Sequence, residues 1–328
     1  MLHHFLITRA IPQEGINFLA HHGKVTVNPH DRVLTPEELI DMGRPCNGWL
    51  TMLTDVISKP VIEQCTNLRG ISNYAVGFNN IDIPTCTARG IGAANTPDVL
   101  TQATAELAWA LILACCRRVV EADAAVRRGT WRGWAPLEFL GSGATGKTLG
   151  IVGAGRIGAR VAEMSRGFEM PVVYSGRRQN QSLEASLGAK YLNFPDLLAQ
   201  ADIISLHLPL TTDTRHLIGA PEFARMKPSA VLINTGRGPL IDEAALVTAL
   251  RQKQIAAAGL DVFEHEPRIT PGLTDLPNVV LLPHIGSATV ETRTRMALLA
   301  AENLLAMVEG RRPAHPLNPQ IYSQPGQG

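Results

Sequence analysis

The stretch that most constrains this chain runs from Thr148 to Arg178. An apolar run, Leu149, Ile151 and Val152, leads straight into the turn Gly153-Ala154-Gly155-Arg156-Ile157-Gly158. A helix-compatible segment follows, then a second apolar run, Val172-Val173-Tyr174. Strand, glycine turn, helix and strand in that order is the context in which G-x-G-x-x-G marks a dinucleotide site rather than an ordinary turn. Gly153 permits the tight turn, Gly155 lets backbone approach a pyrophosphate, and Gly158 allows close packing of helix on strand. The helix start then offers N–H groups and the positive end of its dipole to the phosphates.

The same stretch bears on which dinucleotide is bound. An NAD site carries Asp or Glu about 20 residues after the first glycine, to bond the ribose 2′-hydroxyl. Here that region reads Ser175-Gly176-Arg177-Arg178, without a carboxylate. An acid would repel a 2′-phosphate, whereas a hydroxyl and two guanidiniums suit it. The expected cofactor is NADP, with NADPH preferred over NADH.

The 328 residues leave room for about two domains. With 18% charged residues and a formal net charge of +1, the chain lacks the basic excess of a nucleic-acid binder. Its five cysteines, Cys115 and Cys116 being adjacent, fit neither a metal-ligand spacing nor a disulfide framework. Inert thiols in a reducing compartment are expected, Cys46, Cys65 and Cys86 among them. The opening MLHHFLITRA lacks the leader of a signal peptide, and no run reaches the roughly 18 apolar residues of a membrane span. The expectation is a cytoplasmic protein with no membrane or nucleic-acid partner and no metal.

Residues 1–96 alternate apolar runs (Phe5–Thr8, Val25–Val27, Trp49–Met52, Arg69–Ser72, Ile91–Ala94) with helix-like segments (Pro12–His21, Thr35–Met42, Pro60–Cys65, Ile83–Arg89). Such alternation implies a parallel sheet covered on both faces. A long helix is expected to open at Thr96-Pro97-Asp98 and to carry the chain into the nucleotide domain. Arg127–Ser142, with Trp131 and Trp134, reads as an irregular excursion. Gly141–Thr148 matches the P-loop pattern letter for letter, but an irregular segment precedes it and a strand follows, the reverse of what a P-loop needs. After the glycine turn, apolar runs recur at 201–206, 230–234, 257–261 and 279–282, with helical stretches at Ala220–Met226 and Glu243–Gln252. An amphipathic helix over Ser287–Gly310 is expected to return to the first domain, and the tail Pro313–Gly328 to pair loosely or fray. The division expected is 1–97 plus 286–328 against 98–285.

Each late strand is followed by a chemically capable side chain. Arg237 follows the run ending at Asn234, Glu266 the run ending at Asp261, and His284 the run ending at Leu282. Ligands of open parallel sheets sit at the carboxyl ends of strands, so the three can converge beside a bound nicotinamide. Arg237 can clamp a carboxylate and polarise a carbonyl. His284 can deliver a proton, and Glu266 can fix its tautomer and favour the protonated ring. In the first half, the Gly77-containing loop Asn73–Asn80 directly after a strand can present N–H groups to a carboxylate.

The motifs NTGRG, GLDVFEHEP and LLPHIGSAT, with GAGRIG and NYAVGFNNID, resemble the D-isomer-specific 2-hydroxyacid dehydrogenases over residues 5–312. Within that family ANTPDVLT, YSGRR and PHIGSATVETRTRMALLAAENLLA are most similar to glyoxylate/hydroxypyruvate reductases. The resemblance implies an α/β fold of two doubly wound parallel-sheet domains, flavodoxin-like for substrate and Rossmann for NADP. It places the active site in the cleft between them and implies a homodimer. It implies Arg237, Glu266 and His284 as the catalytic set, with Val76 and Gly77 binding the substrate carboxylate through backbone N–H groups. For the cofactor it implies Thr104, Arg156, Ile157, Leu208, Pro209, Thr235 and Asp261 beside the three glycines, and Ser175 with Arg177 and Arg178 where NAD-using members carry Asp. Trp134 would reach the partner subunit's pocket. The activity implied is NADPH-dependent reduction of small 2-keto acids, glyoxylate or hydroxypyruvate; another acid of the family, phosphite, or a dinucleotide-sensing role without catalysis are the alternatives.

Overall fold

Short strands alternate with helices throughout the computed structural model, which describes residues 3–322. The described residues up to Leu100 form one unit with those from Ser287 on, and Thr101–Gly286 form the other.

In the first unit, strands β1 (His3–Ile7), β2 (Gly23–Val27), β3 (Gly48–Thr51), β4 (Gly70–Asn73) and β5 (Gly92–Ala94) pair in parallel in the order β2-β1-β3-β4-β5. This is the flavodoxin-like order. Every residue of β3, β4 and β5 is buried, as expected of strands covered on both faces. Trp49, Ile71, Leu39 and Ile62 fill one face; Phe5, Ile7 and Leu50 lie under the helix Val290–Val308 on the other. Local signals fix the helix starts. Thr35 accepts from the Glu38 N–H while Glu38 returns a bond to the Thr35 N–H, a reciprocal cap contributing about 1 kcal/mol.

Two expectations need correction here. The long helix runs from Thr101 to Arg117 and does not open at Thr96, because Asp98 adopts φ 70°, which an α-helix cannot contain. The tail is docked rather than frayed as far as it is described. Pro316 bridges Ala94, and the fully buried Asn318 accepts from the Ala93 N–H and donates to the Ile91 carbonyl. Residues 323–328 of that tail lie outside the described residues.

In the second unit, β6 (Leu149–Val152), β7 (Val172–Ser175), β8 (Lys190–Tyr191), β9 (Ile203–Leu206), β10 (Val231–Asn234), β11 (Ala257–Leu260) and β12 (Val279–Leu281) form one parallel sheet in the order β12-β11-β10-β9-β6-β7-β8. Strand β6 lies between β9 and β7, so the strand order reverses beside its carboxyl end, the position at which such sheets take ligands. Leu206, Leu232, Leu246 and Phe223 form the core on one face, Leu111, Ile151, Tyr174 and Ile233 on the other. The edge strand β8 has only two residues, both exposed, and so no apolar run to announce it. The segment after Gly141 holds no helix before β6 begins, unlike a P-loop. All five cysteines are buried and unpaired; burial pushes Cys46 up to about 11 and Cys86 and Cys115 up to about 12. Among the described residues, no helix is long and apolar enough to cross a membrane, and no cluster of three or more His, Cys, Asp or Glu side chains could hold a metal ion.

Candidate active site

The glycine turn joins β6 to the helix Arg156–Met164. Gly153 has φ 96°, and a Cβ there would stand 2.7 Å from the His207 carbonyl oxygen and 2.8 Å from Leu208. A Cβ on the buried Gly158 would overlap the Gly153 carbonyl oxygen. Both glycines are therefore demanded by the protein's own backbone. Gly155 is different: a Cβ there would meet nothing within 4 Å. The protein gives no internal reason for glycine at 155, whereas a phosphate lying against the helix start would. No side chain caps that helix from Gly155, and the space beside Gly155 is open to a ligand.

Past β7, Ser175 is 8% exposed, and Arg177 and Arg178 are exposed with no ionic partner among the described residues. The loop that carries them is held by its neighbours. Asn180 donates to the Ala154 carbonyl at 2.9 Å, its own N–H donates to the Tyr174 hydroxyl at 2.7 Å, and the Tyr191 hydroxyl donates to the Gly176 carbonyl at 2.7 Å. Asn180 thereby ties this loop to the glycine turn while also capping the helix Gln181–Leu187. In the sequence Asn180 carries a single signal, an Asn immediately before a helix. Thr235, next after β10, has a buried hydroxyl without a hydrogen-bond partner among the described residues. An orphaned donor there fits a polar group of a bound cofactor. Leu208 packs on the glycine turn, Pro209 is exposed after it, and Ile157 lies in the first turn of the glycine-turn helix with the exposed Arg156.

At the carboxyl end of β10, Asn234 folds the next turn back on itself. Its Oδ1 accepts from the Gly236 N–H at 3.0 Å and its Nδ2 donates to the Arg237 carbonyl at 2.9 Å. The Arg237 guanidinium donates to the Gly236 carbonyl at 2.7 Å. Its burial lowers the Arg237 pKa against the opposing pull of Glu266. After β11, Glu266 accepts from the Phe263 N–H at 3.0 Å through Oε1, and Oε2 lies 2.9 Å from His284 Nδ1. Burial works to raise the Glu266 carboxyl. The hydrogen bond and charge of His284, the Phe263 N–H and Arg237 outweigh it and hold the group below the usual carboxylate range. The Glu266 bond engages Nδ1 and leaves Nε2 of the ring to a substrate.

His284 has φ 55°, a left-handed conformation that a non-glycine residue needs help to keep. Help comes from Asp261, the residue after β11, which is 1% exposed. Its carboxylate accepts from the Ile285 N–H at 2.7 Å and the Gly286 N–H at 2.8 Å. Thr104 donates to the Gly286 carbonyl at 3.2 Å. Asp261 and Thr104, both expected at the cofactor, thus also anchor the His284 loop.

The structure brings Glu266 and His284 into contact and couples Arg237 to Glu266 by charge. Val76 and Gly77 belong to the first unit, in the loop after β4, both partly buried. Trp134 is 86% exposed, in the irregular segment that also exposes Trp131, Leu137 and Leu140.

Residues 109–286 match the family model described as D-isomer specific 2-hydroxyacid dehydrogenase, NAD binding domain. The chain is 48% identical to a glyoxylate reductase of Aeropyrum pernix over 330 residues, covering 98% of both proteins. It is 47% identical to a glyoxylate reductase of Thermococcus litoralis over 321 residues, 97% of each. Among solved structures, the NADPH-dependent glyoxylate/hydroxypyruvate reductase of Sinorhizobium meliloti, in complex with NADP and malonate, superposes with a TM-score of 0.86. That match is at 31% identity and covers the whole of both chains.

Proposed function

Because this chain belongs to the D-isomer-specific 2-hydroxyacid dehydrogenase family, we propose that it reduces small 2-keto acids with NADPH, glyoxylate to glycolate and hydroxypyruvate to D-glycerate. The observation that carries this reading is the 2.9 Å contact between His284 Nδ1 and Glu266 Oε2, with the Arg237 guanidinium acting on the same carboxylate. When bound, NADPH supplies the hydride that reduces the keto carbon. Arg237 holds the substrate's carboxylate and draws charge toward its carbonyl oxygen. His284 delivers a proton from Nε2 to that oxygen, and Glu266 steadies the ring while it carries the proton. The loop amides of Val76 and Gly77 take the carboxylate as well.

The glycine turn, the open space at Gly155 and the orphaned Thr235 hydroxyl fit a dinucleotide, which Thr104, Arg156, Ile157, Leu208, Pro209 and Asp261 would help to hold. Preference for NADPH is supported by Ser175, Arg177 and Arg178 at the end of β7, where no acid opposes a 2′-phosphate. The Sinorhizobium relative, which shares the fold, is described with NADP bound. We also propose that two copies associate through the segment after Arg127, with Trp134 reaching the partner's pocket. Trp131, Trp134, Leu137 and Leu140 are all exposed in that segment, and clustered exposed apolar side chains are a mark of interaction surfaces.

The test is cofactor oxidation with glyoxylate, hydroxypyruvate and phenylpyruvate, each with NADPH and with NADH, for the native enzyme and for His284→Ala. The expected result is turnover of the two small acids, faster with NADPH, and a loss of 100-fold or more in kcat on replacing His284 with cofactor binding unchanged, roughly the worth of one acid–base group. Turnover of none of the acids would remove the enzymatic reading, equal use of NADH would remove the cofactor reading, and near-normal turnover by His284→Ala would remove the proton donor.

A further inference from the structure

The loop from Tyr74 to Asn80 has an ordered pattern of used and unused backbone groups. Three consecutive carbonyls are taken up by donors of the first unit. The Thr96 N–H donates to the Ala75 carbonyl at 3.0 Å, Asn95 Nδ2 to the Val76 carbonyl at 2.7 Å, and Asn73 Nδ2 to the Gly77 carbonyl at 2.7 Å. None of the N–H groups of Val76, Gly77 and Phe78 has an acceptor among the described residues. In a trans peptide the N–H of one residue points opposite to the carbonyl of the residue before it. Holding the Ala75, Val76 and Gly77 carbonyls inward therefore turns the amides of Val76, Gly77 and Phe78 outward, one for one.

The two asparagines are built into the core for this. Asn73 is fully buried; its Oδ1 accepts from the Thr51 hydroxyl at 3.1 Å, and its Nδ2 also reaches Asn80 Oδ1 at 3.1 Å. Asn80 is fastened in turn to the Met52 carbonyl at 3.0 Å and the Asp55 carbonyl at 3.1 Å. Asn95 is 8% exposed, and its own carbonyl accepts from Asn303 at 3.1 Å. Each side chain directs its NH2 group to a loop carbonyl, Asn73 with its Oδ1 also engaged and Asn95 from a backbone fastened by Asn303.

We propose that Asn95 and Asn73 are positioning residues for carboxylate recognition, Asn95 aiming the Gly77 amide and Asn73 aiming the Phe78 amide, which makes Phe78 a third backbone donor to the substrate's carboxylate. This rests on the reading above that the loop takes the carboxylate. Three successive amides without an internal acceptor among the described residues favour an anion over a neutral group in its place. Replacing either asparagine by the isosteric aspartate sets a carboxylate oxygen against a carbonyl oxygen, and the peptide is pushed to turn. The protonated acid can donate as the amide does.

Two measurements test it. In the first, Asn95→Asp and Asn73→Asp are compared with the native enzyme on glyoxylate and on its neutral methyl ester, with NADPH affinity measured alongside. We expect KM for glyoxylate to rise about 10-fold or more, the worth of a charge-assisted hydrogen bond, with kcat within a few-fold. The constants for the ester and the affinity for NADPH should hold, and the glyoxylate defect should shrink, relative to the native enzyme, as pH falls through the range in which the new carboxyl protonates. Equal losses on acid and ester, or a fall in kcat with KM intact, would overturn the proposal. The second needs no variant to fold. In native enzyme with NADPH and 15N-labelled Val, Gly and Phe, addition of oxamate should move the Val76, Gly77 and Phe78 amide protons downfield together. Movement of Val76 and Gly77 without Phe78 would overturn the role given to Asn73. If none of the three moves, the loop does not take carboxylates and the reading beneath the proposal fails with it.

Discussion

His207 offers a sharp test of how the sheet edge beside the glycine turn is built. It follows β9, its N–H donates to the Val152 carbonyl at 2.8 Å, and its Nε2 lies 2.8 Å from the fully buried Ser205 hydroxyl. Burial pushes its pKa down to about 4 from an ordinary 6.5. The native ring is neutral at neutral pH, while the unfolded chain's His207 takes up a proton below about 6.5. Stability from this group is therefore complete above the ordinary value and is lost as pH falls toward about 4. The separation of about 2.5 pH units corresponds to about 3 kcal/mol at the acid limit, and to about 2 kcal/mol between pH 7.5 and pH 5. Since the residue keeps partial exposure, these are upper bounds. The assay is denaturant unfolding at pH 7.5 and pH 5, followed through Trp109, which is stacked on Phe168 at 4.7 Å in the same unit. His207→Gln keeps a donor for Ser205 and removes the titration. The native protein should lose about 1–2 kcal/mol more than the variant between the two pH values. A difference below about 0.5 kcal/mol would mean that the ring is solvated in the native state, and the argument from burial would fail.

Two further outcomes follow from contacts already described. Gly155→Ala should leave the melting temperature within about 2 °C while weakening NADPH binding, because the added methyl meets no protein atom; Gly158→Ala should cost more than about 2 kcal/mol, because its methyl collides with the Gly153 carbonyl. Calorimetry and a fluorescence titration separate the two, and equal stability losses would show that Gly155 is structural. Trp134→Ser with Leu137→Ser should lower the mass found by sedimentation from two chains to one at micromolar concentration; a native protein that already sediments as one chain would exclude the proposed association.

Legibility from the sequence followed apolar continuity. The buried strands announced themselves as short, largely apolar runs, since burial on both faces leaves few polar positions to blur them. Strand β2, by contrast, carries Lys24 and Thr26, has no buried residue, and was legible only through Val25-Thr26-Val27. Arg237, Glu266 and His284 could be picked out because each stands a few residues past such a run. What the sequence does not announce is polar and joins residues distant in the chain. Asn180, Asn95 and Asn318 each hold a loop by side-chain bonds to backbone, and an asparagine in a loop has the same letter whether it is buried or bathed in water. The start of the long helix was misplaced for a related reason. Thr-Pro-Asp has the composition of a helix entry, and only the backbone at Asp98 shows that the chain turns left-handed before the helix begins.

A Cβ on Gly238 would overlap the Phe263 carbonyl, so the turn bearing Arg237 lies directly on the turn bearing Glu266. With Asp261 clasping the turn after His284, the three strand-end turns have no slack between them. A displacement at any one is handed to the other two. Such a construction is brittle toward insertions: a single extra residue in any of these turns would misalign all three side chains at once. Insertions and deletions are therefore expected to be tolerated outside these turns and not within them.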